Sequence, residues 1–472
     1  MKKHRVATVL SFALIPGLTS GVDGATDQSQ HSAALSGGAT TVFERRRNAF
    51  LLPADNLSIE RQDDFFVGRA FFRLPWVTAP ALTKARDGLG PLFNGKTCLS
   101  CHVRNGRGHA PINKDEPFQS ALIRLSIPPT TQQQRDIAQR LGAVPERGYG
   151  DQLQFHAIPG IKPETSAQIA YTEISGQFND GESYTLLKPQ LTLEQGAYGE
   201  FDAGLMTSVR VAPLMVGLGL LEAIPEADIL ELADPDDDDN DGVSGRPNQV
   251  WDIARQAVVL GRFGLKANQP TVEQQSAAAF SADLGITSTL FPEQSCTEKQ
   301  EGCSQARHGG EPEISAELME KVTFYVSVLG VPARRNAGQD MVLLGEQLFR
   351  ESGCMACHVG EYRTGESKKY PELSHQIIRP YTDLLLHDMG EGLADGRPDF
   401  KASGREWRTP PLWGIGLVEK VNGHSRFLHD GRARNLLEAV LWHGGEGESA
   451  KRKVLALTKR ERHALVAFLN SL

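Results

Sequence analysis

Two stretches of the chain carry residue types and spacings that can do redox chemistry, residues 98–102 (CLSCH) and 354–358 (CMACH). Each reads C-x-x-C-H, a spacing that brings two thiols and one imidazole to the same porphyrin. With 6 Cys and 13 His among 472 residues, chance accounts for only about 0.002 such matches. The pattern predicts two covalently bound haem c groups, attached and proximally ligated by Cys98, Cys101, His102, Cys354, Cys357 and His358.

Two other kinds of site also use a C-x-x-C pair. A zinc site needs a second thiol pair close by, and a thioredoxin-like redox pair has no need of an adjacent histidine. The repetition of the full five-residue pattern therefore favours haem over both alternatives.

The remaining two cysteines, Cys296 and Cys303, close a short polar loop. We expect them to form a disulfide, with a free thiol pair as the alternative. A disulfide requires an oxidising compartment, and so does the usual route of haem attachment in bacteria.

The amino terminus agrees with export. Residues 1–24 combine a basic start, an apolar run and small residues before Ala25, which is typical of a secretory signal peptide. The apolar run is too short to span a bilayer, so we expect a periplasmic protein without stable membrane insertion. The net charge of −8 argues against nucleic acid as a partner.

The elements around the two motifs predict a mainly α fold, with two cytochrome c-like haem domains and β-hairpin insertions in the first. We expect a flexible lead (25–42), an N-terminal haem domain with insertions (43–331), a linker, and a C-terminal cytochrome c domain (336–472). Apolar periodicity predicts helices near 315–329, 342–351 and 458–472. Asn179-Asp180-Gly181, between two alternating segments, predicts a hairpin turn.

The two halves also share a weak repeat. Residues 210–222 and 408–419 both contain Arg-x-x-Pro-Leu followed by Gly-Leu-Leu-Glu or Gly-Leu-Val-Glu. The preserved order indicates that both haem domains derive from one duplicated unit.

Four strings in the second half carry a family resemblance: residues 384–390 (LLLHDMG), 407–414 (WRTPPLWG), 427–433 (FLHDGRA) and 442–446 (WHGGE). They resemble the di-haem oxidoreductase family, described as peroxidases or thiol oxidoreductases and related to bacterial di-haem cytochrome c peroxidases. Rubber-cleaving di-haem oxygenases are more distant relatives. The resemblance implies that a small redox protein donates electrons to the C-terminal haem. The N-terminal haem would then reduce hydrogen peroxide or another small oxidant.

The resemblance also implies a sixth iron ligand. In the peroxidases the C-terminal haem takes a methionine sulfur at the position that is His443 here. An imidazole in that place should lower the reduction potential of this haem. His387 and His429 are rival ligands, for which we favour supporting roles around the haem.

For the first haem, the resemblance points to residues 270–275 (PTVEQQ), which are similar to the active-site helix of the peroxidases. Gln275 would lie over the distal face, and Phe280 would form a wall of the pocket. The peroxidases have a glutamate ten positions later, where this chain has Gly285, so Asp283 is the nearest candidate proton carrier. The alternative is an ordinary amphipathic helix.

The acidic run at 234–241 contains the start of a calcium loop. Asp237, Asp239 and Asp241 alternate before Gly242, as in D-x-D-x-D-G. The twelfth position is Asn248 instead of glutamate, so a complete helix-loop-helix site is not expected. We predict a structural Ca²⁺, with a solvated acidic turn as the alternative.

Three other functions remain open at this stage. The protein could activate dioxygen, oxidise a side chain of a partner protein, or carry electrons without catalysis. A pure carrier should contain two low-spin haems that do not react with peroxide.

Overall fold

The computed structural model describes residues 32–472. The predicted signal peptide (1–24) and residues 25–31 of the predicted lead lie outside this part. The rest of the lead packs onto the protein: Thr40, Thr41 and Val42 are buried, and the backbone N–H of Val42 donates to the carbonyl of Val331.

The helices are α1 Ile59–Arg73, α2 Cys98–Cys101, α3 Gln132–Leu141, α4 Leu218–Glu222, α5 Glu226–Leu230, α6 Val272–Leu284, α7 Ala316–Ser327, α8 Asp340–Glu351, α9 Val418–Asn422, α10 Leu436–Leu441, α11 Glu448–Ala456 and α12 Lys459–Ser471. Short 3-10 turns lie at Gly38–Thr40, Lys84–Arg86, Val103–Asn105, Cys354–Ala356, Pro371–Leu373, Ile415–Leu417 and Gly445–Gly447. The strands are β1 Leu92–Phe93, β2 Ala121–Ser126, β3 His156–Ala157, β4 Ala167–Gln177, β5 Ser183–Leu193, β6 Met206–Val211, β7 Gln249–Asp252, β8 Ala257–Leu260, β9 Tyr362–Arg363, β10 Ile377–Ile378, β11 Leu386–Asp388 and β12 Glu406–Arg408.

The expectation of a mainly α fold is wrong. The described residues are 30% helical and 17% strand. The strands form antiparallel pairs: β1 with β3, β2 with β6, β4 with β5, β7 with β8, β9 with β10 and β11 with β12. Several of these strands have only two to four residues, and partners such as β11 and β12 are far apart in sequence. Such short pairs arise from tertiary packing and leave little periodicity in the sequence.

The first and last helices of each half pack against each other through a glycine. In the first half, α1 crosses α7, and a Cβ on Gly68 would overlap the backbone carbonyl of Lys321. In the second half, α8 crosses α12, and a Cβ on Gly345 would overlap the carbonyl of Ala464. Only glycine allows such a close approach of two helices. A helix crossing of this kind lies beside each of the two C-x-x-C-H motifs.

The repeated segments also fold alike. Gly217 and Gly414 both adopt left-handed backbone conformations, with φ of 73° and 77°, just before the turns that begin at Leu218 and Ile415. Each glycine contacts a residue of the other repeat: a Cβ on Gly217 would overlap Trp413, and a Cβ on Gly414 would lie 3.1 Å from Leu214. The duplication therefore has a structural counterpart where the two halves touch.

Replacing Gly345 with alanine should destabilise the protein, although the same change in an ordinary helix stabilises it by about 1 kcal/mol. The added methyl group forces α8 away from α12, and overpacking of this kind costs about 1–3 kcal/mol. Urea unfolding should show this loss. Leu343→Ala is the control, because Leu343 lies on the same helix and is 49% exposed. A Gly345→Ala protein at least as stable as the unmodified chain would contradict the close contact.

The predicted hairpin forms around Asn179-Asp180-Gly181, between β4 and β5. Its tip reaches the second half of the chain, where Glu182 pairs with Lys459 (2.8 Å) and with Arg462. The side chain of Phe178 lies under the guanidinium of Arg462, 4.0 Å from the ring centroid. This insertion therefore ties the first half to the last helix.

The main hydrophobic core also draws on both halves. It includes Phe65 and Tyr325 from the first half, and Leu385 and Trp413 from the second. The predicted disulfide between Cys296 and Cys303 is confirmed. Among residues 32–472, no helix is long and apolar enough to cross a membrane.

Candidate functional site

The first C-x-x-C-H motif folds into a single helical turn. Cys98–Cys101 form α2, and the backbone N–H of His102 donates to the carbonyl of Cys98 (2.9 Å). Residues at i, i+3 and i+4 share one face of a helix, so both thiols and the imidazole project from the same side. His102 Nδ1 is 2.8 Å from the carbonyl oxygen of Pro213, which fixes the orientation of the ring.

The second motif repeats this geometry with a tighter turn. Cys354–Ala356 form a 3-10 turn, preceded by Gly353 in a left-handed conformation (φ 88°). The N–H of His358 donates to the carbonyl of Cys354 (3.0 Å), and His358 Nδ1 is 2.9 Å from the carbonyl oxygen of Tyr381. Metal-bound histidines commonly donate their second ring N–H to a carbonyl in this way.

Both histidines are held as neutral imidazoles. Burial lowers the pKa of His102 and of His358 to about 4 in each case. In the described chain, Nε2 of each ring has no hydrogen-bond partner. A neutral imidazole whose Nδ1 donates a hydrogen bond carries its lone pair on Nε2, as an iron ligand requires.

The thiols are poorly suited to disulfide exchange. Burial raises the pKa of Cys98, Cys101 and Cys354 to about 12, and the charge of Asp283 adds to the effect at the first two. Burial also raises the pKa of Cys357. Since the thiolate is the reactive form in redox pairs, these values disfavour a thioredoxin-like role.

A large, mostly apolar cavity lies beside the second motif. Its lining includes the motif residues, the predicted sixth ligand and side chains contributed by both halves: Cys354, Cys357, His358, His443, His387, His429, Met389, Trp407, Arg107, Arg408, Glu446, Lys451, Leu265, Phe349, Leu393, Phe427 and Leu428.

His443 lies in this cavity with His358, and the two rings are close enough that a positive charge on one would disfavour a positive charge on the other. Burial lowers the pKa of His443 itself. Its Nδ1 is 2.8 Å from the carbonyl oxygen of Ala439, one helical turn earlier. In the described residues its Nε2 has no hydrogen-bond partner, so His443 has the same ligand-ready form as His358.

His387, a rival ligand, is fully engaged by carboxylates. Its Nδ1 lies 2.6 Å from Glu446 and its Nε2 lies 2.7 Å from Asp383. Burial opposes the charged form, but hydrogen bonds with Asp383, Cys357 and Glu446 raise the pKa of His387 to about 12. A doubly protonated imidazole has no lone pair for iron.

His429, the other rival, lies flat against Trp407, with ring centroids 3.8 Å apart and an interplanar angle of 11°. Nζ of Lys266 lies 4.4 Å from the centroid of the Trp407 ring. The indole N–H of Trp407 donates to the carbonyl of Leu393 (2.9 Å), which fixes the ring. Stacking and burial give His429 a position in the cavity wall.

Helix α6 places the three candidate catalytic residues in different surroundings. Asp283 lies near both thiols of the first motif and accepts a hydrogen bond from Gln152 (2.8 Å). Phe280 is buried edge-on against Trp76, with ring centroids 5.6 Å apart. The side-chain oxygen of Gln275 instead lies near Gly264, 3.6 Å from where a Cβ would stand. The structure therefore brings Asp283 to the first motif, whereas Gln275 lies more than two helical turns before Asp283 on α6.

Burial raises the pKa of Asp283, while hydrogen bonding to Gln152 and the charge of Arg124 oppose the shift. A raised pKa makes a carboxyl group better suited to take up and return a proton.

The acidic run folds into a compact loop. Asp237 accepts a hydrogen bond from the N–H of Gly242 (3.1 Å), and Asp239 accepts one from the N–H of Asp241 (3.1 Å). The carboxylates of Asp234, Asp237 and Asp239 have oxygens within 4.8 Å of one another. Asp241 lines a small cavity with Asp234 and Asp239.

Sequence reasoning missed four residues that line the large cavity: Met389, Arg107, Arg408 and Glu446. Met389, Arg408 and Glu446 lie inside strings that already carry the family resemblance, so the sequence drew attention to these segments but did not indicate what the three side chains do. Arg107 follows the first motif in sequence, and nothing local connects it to the second. Only the tertiary fold brings it to this cavity.

The residues present fit a haem at each motif. Each site offers two thiols, a neutral imidazole oriented by a backbone carbonyl, and apolar surroundings. The second site adds another neutral imidazole, His443, and the half-buried guanidinium groups of Arg107 and Arg408. This donor set suits an iron porphyrin with carboxylate side chains.

Comparison with known proteins gives one family match. No curated protein and no solved structure matches the chain. The model of the family described as "Di-haem oxidoreductase, putative peroxidase" matches residues 30–472, and the chain belongs to that family.

Proposed function

We propose that this protein is an exported di-haem c-type cytochrome that reduces hydrogen peroxide or a similar small oxidant at its N-terminal haem. Electrons would come from a small redox protein and enter at the C-terminal haem. One observation carries the proposal: both C-x-x-C-H motifs form a turn whose histidine is neutral and oriented through Nδ1, in a chain of the di-haem family.

The chain's own residues would divide the work between the two sites. When bound, a haem iron supplies electron transfer, and it reduces peroxide where a coordination position is open. At the second site, His358 and His443, both neutral and both in the cavity lining, would hold the haem iron. At the first site, Asp283 would take the proton from the incoming oxidant and return it to the leaving oxygen.

Haem attachment can be tested by counting haems in protein expressed with haem-attachment machinery. The pyridine haemochrome assay and intact mass should give two haems per chain, and one after Cys98→Ser with Cys101→Ser. Replacing both Cys354 and Cys357 with serine should likewise leave one haem per chain. The matched control replaces Cys296 and Cys303, the disulfide pair, and should retain two haems. An unmodified mature chain without haem would refute the proposal.

The peroxidase reaction can be separated from its rivals by spectroscopy. Peroxide added to the half-reduced protein should change the EPR and optical spectra of the N-terminal haem and consume peroxide. Two low-spin haems that do not react would instead indicate a carrier. Uptake of dioxygen into an organic substrate without peroxide turnover would indicate an oxygenase.

Replacing Asp283 with asparagine should slow peroxide reduction by about 10²–10⁴-fold, the usual contribution of a general acid–base group. The measurement is donor oxidation under steady-state conditions, with haem content checked by absorbance. Glu273→Gln is the control, because Glu273 lies on the same helix and its side chain, paired with Lys369, is 47% exposed. A rate within twofold of the unmodified protein would remove Asp283 from the mechanism.

We further propose that the loop at 234–242 binds Ca²⁺ in a structural role. The clustered carboxylates of Asp234, Asp237 and Asp239 support this, since calcium takes several oxygen ligands. The following residues, Ser244 and Gly245, donate backbone N–H groups to Glu446, so the loop adjoins the segment that carries His443.

Calcium should raise the melting temperature, because a ligand that binds only the folded state stabilises it. Asp239→Asn should weaken calcium binding on the order of tenfold, since one ligand charge is lost. Calorimetric titration of chelator-treated protein measures this. Asp236→Asn is a change in the same loop outside the carboxylate cluster, and the protein that carries it should bind calcium with unchanged affinity. Equal affinities for both variants would exclude the cluster as the site.

A further inference from the structure

Two positively charged side chains in the lining of the large cavity have no paired carboxylate. Lys451 is paired with Glu448 (2.5 Å), and Glu446 is paired with His387 (2.6 Å). The two other cations in its lining are the guanidinium groups of Arg107 and Arg408. Among residues 32–472, no carboxylate lies within 4.0 Å of either.

Both guanidinium groups are anchored by backbone carbonyls. Nε of Arg107 donates to the carbonyl of Arg426 (2.9 Å), and Nη2 donates to that of Leu428. Nε of Arg408 donates to the carbonyl of Gly264 (2.9 Å), and Nη1 donates to that of Thr409 (3.2 Å). In the described chain, Nη1 of Arg107 and Nη2 of Arg408 have no acceptor.

A cation that is held away from water with no directly paired carboxylate is costly. Burial lowers the pKa of each arginine to about 10, although the more distant charges of Asp430, near Arg107, and Asp383, near Arg408, oppose the shift. The cost disappears if the cavity holds an anion that the protein itself does not supply. Arginine is the side chain best matched to carboxylates, because its planar N–H fork can bind both oxygens. A haem brings two carboxylates, its propionates, and the cavity holds two such arginines.

We propose that Arg107 and Arg408 bind the propionates of the C-terminal haem; this inference rests on the haem assignment proposed above. Arg408 belongs to the second half of the chain. Arg107 belongs to the first half and follows His102 by five residues. The cofactor of the second motif is thus held from both halves.

The backbone around Arg107 supports this bridging role. Its N–H donates to the side chain of Asn422 (3.1 Å), and Asn422 donates in turn to the carbonyl of Val103 (2.6 Å). Val103 directly follows His102. A short, well-anchored segment therefore connects the proximal ligand of one haem to the carboxylate-binding group of the other.

The test is a spectroelectrochemical titration of both haems in the holoprotein. Arg107→Gln and Arg408→Gln each remove a positive charge from the propionates. Each should shift the midpoint potential of the C-terminal haem downwards and make it more pH-dependent, because the propionates then protonate more readily. The potential of the N-terminal haem should move less. Arg405→Gln, a change at an arginine that is 46% exposed, is the control and should move neither.

Haem stoichiometry separates the possible failures. If the protein without substitutions contains no haem, both the haem assignment and the propionate assignment are overturned. Glutamine variants with two haems and unshifted potentials overturn only the propionate assignment. If Arg107→Gln does not retain the C-terminal haem, Arg107→Lys decides: recovery of that haem supports the assignment, and continued loss in a normally folded chain overturns it.

Discussion

Replacing His443 with methionine should raise the reduction potential of the C-terminal haem on the order of 100 mV or more, because thioether ligation favours ferrous iron relative to imidazole. The expectation rests on the cavity that His443 shares with His358 and on the neutral state of both rings. The potential can be read from an optical redox titration. The haem should remain low-spin, with the optical signature of methionine ligation.

Met389 provides the matched control, because its sulfur lines the same cavity. Met389→Leu removes a methionine sulfur from the cavity lining and should leave the potential and spin state unchanged. The opposite pattern, with a silent His443→Met and a large effect of Met389→Leu, would transfer the sixth-ligand role to Met389. His387→Ala should change stability more than ligation, since both of its ring nitrogens are occupied by carboxylates.

The features that could be predicted from sequence are those determined by neighbours along the chain. The C-x-x-C-H turns follow from i, i+3, i+4 spacing, and the hairpin follows from Asn179-Asp180-Gly181. The last helix follows from its capping box, which begins at Thr458. Each of these signals is contained within a few residues, so no tertiary information was needed.

The features that could not be predicted depend on residues far apart in sequence. Arg107 lies among side chains that come mostly from residues 349–469, and no local pattern could place it there. Gln275 was assigned to the correct helix, but its side chain lies near Gly264. Asn248, the twelfth residue of the calcium pattern, is buried and donates to the carbonyls of Lys266 and Asp399. In each case, helix position or motif spacing was known while the packing partner was not.

The two motifs thus share a turn but differ in their surroundings. The second has another neutral imidazole in its cavity, whereas the first has a half-buried carboxyl group, Asp283, beside its thiols. A closed coordination sphere suits electron transfer, and a nearby proton carrier suits reduction of an oxidant. This asymmetry supports the proposed direction of electron flow from the second haem to the first.

Replacing Lys266 with methionine should destabilise the folded protein by about 3–5 kcal/mol, the usual cost of removing one partner of a buried ion pair. The side chain of Lys266 is fully buried. Its Nζ donates to Asp395 (3.0 Å) and to the carbonyls of Arg397 (3.1 Å) and Ser403 (2.7 Å). Methionine fills similar space but leaves the carboxylate of Asp395, which is 5% exposed, without its nearest cation.

Urea unfolding of the oxidised holoprotein measures this loss, with Lys401→Met as the control because Lys401 is exposed and lies between Asp399 and Ser403. Lys266 also lies over Trp407, which stacks on His429 in the cavity wall. The Lys266→Met protein should therefore show altered C-terminal haem absorbance even where it remains folded. Identical midpoints for the two variants would mean that Asp395 finds another partner, with Arg210, 4.0 Å away, as the nearest candidate.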